Sequence, residues 1–203
     1  MRIMRFYSHL NGWEFVKCHH PEVWSDVESV IDAVDAEKCR TKQSKEARRQ
    51  GRMLLSPPAL NAEYKREFEQ RGWQGKTIVN WISDDLSQMR QIISLSGSEQ
   101  KKKIIDSGRR PIMTSNQTDF VKDRCAVEIQ FGKYSFVAHD LHVKHLTFFQ
   151  SDEIDVGIEI VPMKEMEQQM SSGVAYFERD LFNLVRQGRA SPAVPIILVG
   201  VMP

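Results

Sequence analysis

Pro195 to Val201 reads PIILVGV, a run with no charge and no polar side chain. A run that short and that apolar suits a strand buried on both faces, the usual situation inside a parallel sheet. Two earlier stretches have related character. Asp155 to Val161 (DVGIEIV) is rich in β-branched residues, and the segment Ala126 to Phe131 alternates in strand fashion. Helical patterns separate them. Val137 to Phe149 forms one, and a helix after Ser171-Ser172-Gly173 carries Val174, Phe177, Leu181, Leu184 and Val185 on one face. The C-terminal half therefore reads strand–helix–strand–helix–strand. That order predicts an α/β fold, a mixed central sheet with helices on its faces.

The N-terminal half reads as mostly helical and more charged. Arg2 to Ser8 and Trp13 to Lys17 predict a hairpin about Asn11-Gly12, a favourable turn pair. A helix is expected from Pro21, with Val23, Trp24, Val27, Val30, Ile31 and Val34 at helical spacing. Asn61 predicts the cap of a short helix burying Tyr64 and Phe68 and stopping at Gly72. Thr77 to Trp81 predicts a strand, Ser83 and Ser98 the caps of two further helices, and residues 109–118 a loop. The expected organisation is one domain over 1–203, with a helix-rich part over 19–110 and a strand–helix core over 111–203.

Composition excludes some classes. The formal net charge is +1, so total charge does not announce a nucleic-acid binder. No apolar run approaches the roughly 20 residues of a membrane span. MRIMRFYSHL has no apolar signal core. Three cysteines without a CxxC pair read as reduced thiols. A cytoplasmic protein is expected.

The strand around Ala126 poses a chemical question. Residues i and i+2 of a strand share a face about 7 Å apart, so Glu128 and Gln130 point together and Ile129 and Phe131 point away. Asp119 lies nine residues before Glu128, and the polar segment between them is able to turn back. Two carboxylates at one place repel each other, and a divalent hard cation relieves that repulsion. From the residues alone two readings stand: a Mg²⁺ site, or an edge strand with solvated Glu128 and Gln130.

The pattern Asp, about ten residues, Glu-x-Lys marks the PD-(D/E)xK nuclease superfamily, and here Gln130 stands at the Lys position. DFVKDRCAVEIQFGKYSFVAHD resembles the BglII and BstYI group of type II restriction endonucleases, whose strand carries Glu and then Gln, followed by Phe, Tyr and Phe. The matching residues are Glu128, Gln130, Phe131, Tyr134 and Phe136. The likeness to BstYI-like members spans nearly the whole chain, through YSHLNG, DAEKCRTK, NQTDFVKDR, QFGKYSFVA, IDVG, MSSG, RQG and PAVP in order. The likeness to BglII is mainly over residues 115–140 and the general plan.

That resemblance implies a restriction-endonuclease-like fold and a homodimer acting on duplex DNA. It implies Mg²⁺ held by Asp119 and Glu128, with Gln130 helping to position the attacking water. An amide does not titrate, so a metal-bound water or a substrate phosphate must take the proton. It further implies cutting at R-GATC-Y before the G, giving four-base 5′ overhangs with 5′-phosphate ends. A cognate DNA methyltransferase is expected in the same cell to protect such sites.

The resemblance also implies base contacts from Lys133, Ser171 and Ser172 and a DNA contact from Asn116. Taken as bare residues, these are a surface lysine, a helix cap and a turn. Arg40 to Arg52 holds six Lys and Arg against Glu46 alone. Without DNA it reads as a solvated helix face; with DNA, Arg40, Lys42 and Lys45 become phosphate contacts. His139, His142 and His145 do not suit a zinc site, because three-residue steps on one helix spread them apart. Two other readings stay open: a structure-selective nuclease, and a DNA-binding protein without catalytic activity.

Overall fold

The computed structural model describes the backbone of residues 1–203 and every side chain but that of Arg48. A six-stranded sheet has the order β1-β8-β7-β6-β5-β4. Its strands are β1 (Arg2–His9), β4 (Gln74–Ile82), β5 (Ile112–Lys122), β6 (Cys125–Ile129), β7 (Val156–Pro162) and β8 (Ile196–Met202). β6, β7 and β8 run parallel, and the outer pairings are antiparallel. Every residue of β6 and β7 is buried, Glu128 and Glu159 included, so β6 is an inner strand and not the edge strand that its alternation also allowed.

One face of the sheet packs under α1 (Gly12–His19), α2 (Pro21–Ala33) and α3 (Pro57–Gln70). Val16, Trp24, Ile31 and Leu60 meet Val127, Ile158 and Val199 there. The other face is covered by a helix from Tyr134 to Gln150 and by α9 (Phe177–Gln187). Val137, Leu141 and Leu184 pack on Ile196 and Leu198. The Tyr134–Gln150 helix has a widened middle: α6 (Tyr134–His139), a π turn over Asp140–Lys144, then α7 (His145–Gln150). π turns recur at functional sites. The remaining elements are β2 (Lys42–Gln43) paired with β3 (Met53–Leu54), α4 (Leu86–Ile92), α5 (Gly97–Asp106) and α8 (Lys164–Glu167).

The structure corrects several local expectations. No hairpin forms at Asn11-Gly12. Asn11 adopts a left-handed conformation (φ 59°) and leads into α1, and β1 pairs with β8 instead. Gly12 passes so close to β8 that a Cβ would lie 2.9 Å from the Ile196 backbone. Tertiary pairing overrode the turn preference. Residues 109–118 are not a loop, because β5 begins at Ile112 and pairs with β4. That arm is exposed on both sides over Ile112–Ser115, so no alternation marks it in the sequence. α3 starts at Ser56 with Pro57 and Pro58 in its first turn, where the missing N–H groups cost nothing. The caps of α4 and α5 are Asp85 and Ser96, each two residues from the serine expected. The basic stretch Arg40–Arg52 is not a helix face; it folds as short 3₁₀ and extended pieces.

Candidate active site and neighbouring ledge

The β5–β6 hairpin brings the two acids together. Its turn residues, Asp123 and Arg124, both have positive φ (46° and 59°), the geometry that matches the strand twist. Arg124 clamps the turn by bonding Asp152 Oδ1 at 2.6 Å and both oxygens of Asp155 at 2.8 and 2.9 Å. The β5–β6 ladder ends at Phe120↔Val127, and the next residues back along β5 and on along β6 are Asp119 and Glu128. At the same place β5 bulges. Val121 pairs with Gln74 and Thr118 with Lys76, so three steps of β5 oppose two of β4. A bulge re-aims a side chain. The freed Asp119 carboxylate accepts a hydrogen bond from the Ile129 backbone N–H at 3.2 Å.

Glu128 is 1% exposed, whereas Asp119 is open to solvent. Burial pushes Glu128 up to about 8, the Asp119 charge adds to the rise, and Lys144 opposes it. Lys144 donates to Glu128 Oε2 at 2.9 Å and to Asp140 Oδ1 at 2.8 Å. Burial works against its charge, but Glu128 and Asp140 more than offset that and hold it above the ordinary lysine range. Glu128 Oε1 is buried and has no partner among the described residues. Gln130 donates from Nε2 to Asp140 Oδ2 at 2.9 Å, and its Oε1 accepts from the Gly132 N–H at 3.0 Å. The amide is thus held from both ends.

Glu159 of β7 is the register partner of Glu128 and is fully buried. It shares a hydrogen bond with His145, Nε2 to Oε2 at 3.2 Å. Burial raises Glu159 well above the carboxylate range and pushes His145 down to about 4, so each is biased towards its uncharged form. Sequence reasoning missed Asp140, Lys144 and Glu159. It considered His145 only as a metal ligand, whereas His145 is buried against Glu159.

Among the described residues, no cluster of three or more His, Cys, Asp or Glu is arranged to hold a metal ion. Mg²⁺ does not need one; it binds through one or two carboxylates and keeps its other positions for water and phosphate oxygens. The unpartnered Glu128 Oε1 beside an accessible Asp119 fits that donor set.

The other predicted residues fall into two groups. Lys133 and Ser171–Ser172 come together. Lys133 bridges to Val174, Tyr134 N donates to Gly173 O at 3.1 Å, and Ala175 N to Gly132 O at 3.1 Å. Lys133 and Ser172 are exposed on this ledge, and Ser171 is half-buried. The basic stretch abuts it. Glu46 accepts from the Ser172 N–H at 2.9 Å, and Arg49 donates to the carbonyls of Gln168 and Met170 at 3.1 and 3.0 Å. Lys42 and Lys45 are exposed, but Arg40 is engaged by Glu37 at 2.6 Å and by Gln169 at 2.8 Å. Asn116 sits apart, half-exposed on β5 opposite Ile78.

The family model for restriction endonuclease BglII/BglIII matches residues 4–201. The chain belongs to that family. As a BglII/BglIII-family member it is a restriction endonuclease, a nuclease of the type II kind that BglII represents. Its fold agrees. The structure of BglII complexed with a DNA 16-mer superposes with TM-score 0.67 at 20% identity, covering 100% of this chain and 77% of that one. Free BglII superposes with TM-score 0.59 at 18% identity, covering 100% of this chain and 80% of that one. No curated protein matches the chain. Among the described residues no helix of this family member is long and apolar enough to cross a membrane.

Proposed function

We propose that the protein is a cytoplasmic, Mg²⁺-dependent type II restriction endonuclease. It acts as a homodimer that cuts both strands of R-GATC-Y before the G and leaves four-base 5′ overhangs with 5′-phosphates. Its sequence resembles BstYI-like members, and a cognate methyltransferase protects the host's sites. The observation that carries the reading is the buried, unpartnered Glu128 Oε1 beside the accessible Asp119 at the mouth of the β5–β6 hairpin.

Asp119 and Glu128 would hold the Mg²⁺. Bound there, such an ion polarises a phosphoryl oxygen and supplies a nucleophile near neutral pH. Gln130 contributes direction rather than charge: its amide, fixed by Asp140 and Gly132, orients polar groups at the site and takes no proton. Lys133 with Ser171 and Ser172 reads base edges, where a single ammonium accepts either purine at the outer pair. Lys42 and Lys45 contact phosphate, and Asn116 contacts the duplex from β5. Arg40 acts through the ledge it braces.

The test is incubation of the purified protein with a long, fully sequenced, unmethylated duplex, with Mg²⁺ and separately with EDTA, followed by sequencing of the ends. Mg²⁺-dependent ends at RGATCY with GATC overhangs are expected. Discrete ends at another motif would discard the base readout and keep the active site. Scattered cutting would support a structure-selective nuclease. Binding without cutting under any condition would leave a catalytically silent DNA-binding protein.

A further inference from the structure

Gln130 leaves the site's strand without the lysine that the superfamily pattern carries there, and an amide supplies no charge. A charge is nevertheless present, delivered from the helix. Lys144 lies in the π turn and bonds both Glu128 and Asp140, while the other oxygen of Asp140 holds Gln130. The two side chains are therefore anchored by one carboxylate.

Three further observations bear on what Lys144 does. An ammonium has three donors, and two are used here, so one remains. The side chain is 20% exposed, and with Gln130, Ser135, Phe136, His139 and Asp140 it lines an open cleft of about 460 Å³. Among the described residues no other Lys or Arg pairs with Asp119, Glu128 or Asp140. A phosphodiester entering this cleft meets the Asp140 carboxylate and, among the described residues that line it, one lysine ammonium, that of Lys144.

We propose that Lys144 is the cationic catalytic residue of this site: its free donor binds the scissile phosphate, while Glu128 and Asp140 hold it in place. The inference rests on the nuclease reading above. The charge that other members of the superfamily set on the strand is here set on the opposing helix, and Asp140 couples it to Gln130.

The experiment measures single-turnover cleavage of an RGATCY duplex by the full-length protein, duplex binding in EDTA by gel shift, and thermal stabilisation by Mg²⁺ alone. Lys144→Gln should cut about 10²- to 10³-fold more slowly and bind the duplex within a few-fold of wild type. Its Mg²⁺ response should shift to roughly fivefold lower concentration or further, because a competing cation has left the carboxylates. Lys144→Arg keeps the charge and should cut at least about tenfold faster than Lys144→Gln. The double variant Asp140→Asn, Lys144→Gln removes both charges together and so protects the fold. It should remain slow while its Mg²⁺ response returns towards wild type.

Wild-type cutting rates in Lys144→Gln or in the double variant would overturn the inference. So would a loss of the Mg²⁺ response in Lys144→Gln with no rescue by arginine, since that marks a purely structural ion pair. A wild-type protein that cuts nothing would sink the nuclease reading instead.

Discussion

Glu128 and Glu159 are register partners on adjacent parallel strands, and each carboxylate has one buried oxygen without a partner. They differ in what meets the other oxygen: a lysine ammonium for Glu128, a neutral imidazole for Glu159. One carboxylate faces a fixed charge, and the other an imidazole that burial holds below its ordinary range.

Glu159→Gln should therefore be mild. A protonated carboxyl and an amide both donate to His145, so the expected change in unfolding free energy is within about 1 kcal/mol. Glu159→Ala removes the donor and opens a cavity, at a cost of about 2–4 kcal/mol. Urea unfolding of both variants checks this. Equal losses would mean that Glu159 is ionised in the folded protein.

Asp119→Ala separates catalysis from folding. Asp119 is exposed and accepts one hydrogen bond, so stability should fall by no more than about 1 kcal/mol. Cutting should drop at least about 10³-fold, while duplex binding in a gel shift is kept or strengthened. A variant that still cuts would remove Asp119 from the metal site.

Gly132→Ala should act on activity more than on stability. Its Cβ would lie 2.6 Å from Gln130 Oε1, the far end of a side chain that relieves the clash only by giving up its bonds to Gly132 and Asp140. The melting temperature should move by a few degrees at most, while single-turnover cutting falls about tenfold. Gly157→Ala makes a contrast. There the Cβ would lie 2.5 Å from Nδ1 of the buried His145 ring, which has no room to yield, and a loss of about 1–3 kcal/mol is expected.

Asp180 offers a pH test remote from the acids. It is 4% exposed, Oδ2 lacks a partner among the described residues, and burial raises it to about 6. The folded state therefore holds a proton that the unfolded chain releases near pH 4. Stability falls as pH rises from about 4 to 6, and the penalty is complete above that. Asp180→Asn should match wild type at pH 4 and exceed it at pH 7.5, by at most about 3 kcal/mol. Urea midpoints at the two pH values measure it; equal midpoints at pH 7.5 would refute it.

Several elements were legible because their residues answer to local or periodic rules. PIILVGV and DVGIEIV become β8 and β7, since strands covered on both faces are rich in apolar and β-branched residues, with Glu159 the exception in β7. The return of Asp119 towards Glu128 was legible in the short polar segment between them. The start of β5 was not, because exposure on both sides over Ile112–Ser115 erases alternation, and such a strand looks like a loop.

The sequence by itself determined the buried strands, the helices between them and the acid–acid–amide pattern of Asp119, Glu128 and Gln130, all of which are written in residues within about a dozen of one another. Only the tertiary structure decided that Lys144, sixteen residues beyond Glu128, is the cation between Glu128 and Asp140, and that His145 is buried with Glu159. A charged side chain on a helix is cheapest in water, and nothing in its own segment says otherwise. It is the packing of that helix onto the acidic row of the sheet, with a π turn at the contact, that makes burial next to carboxylates the lower free energy.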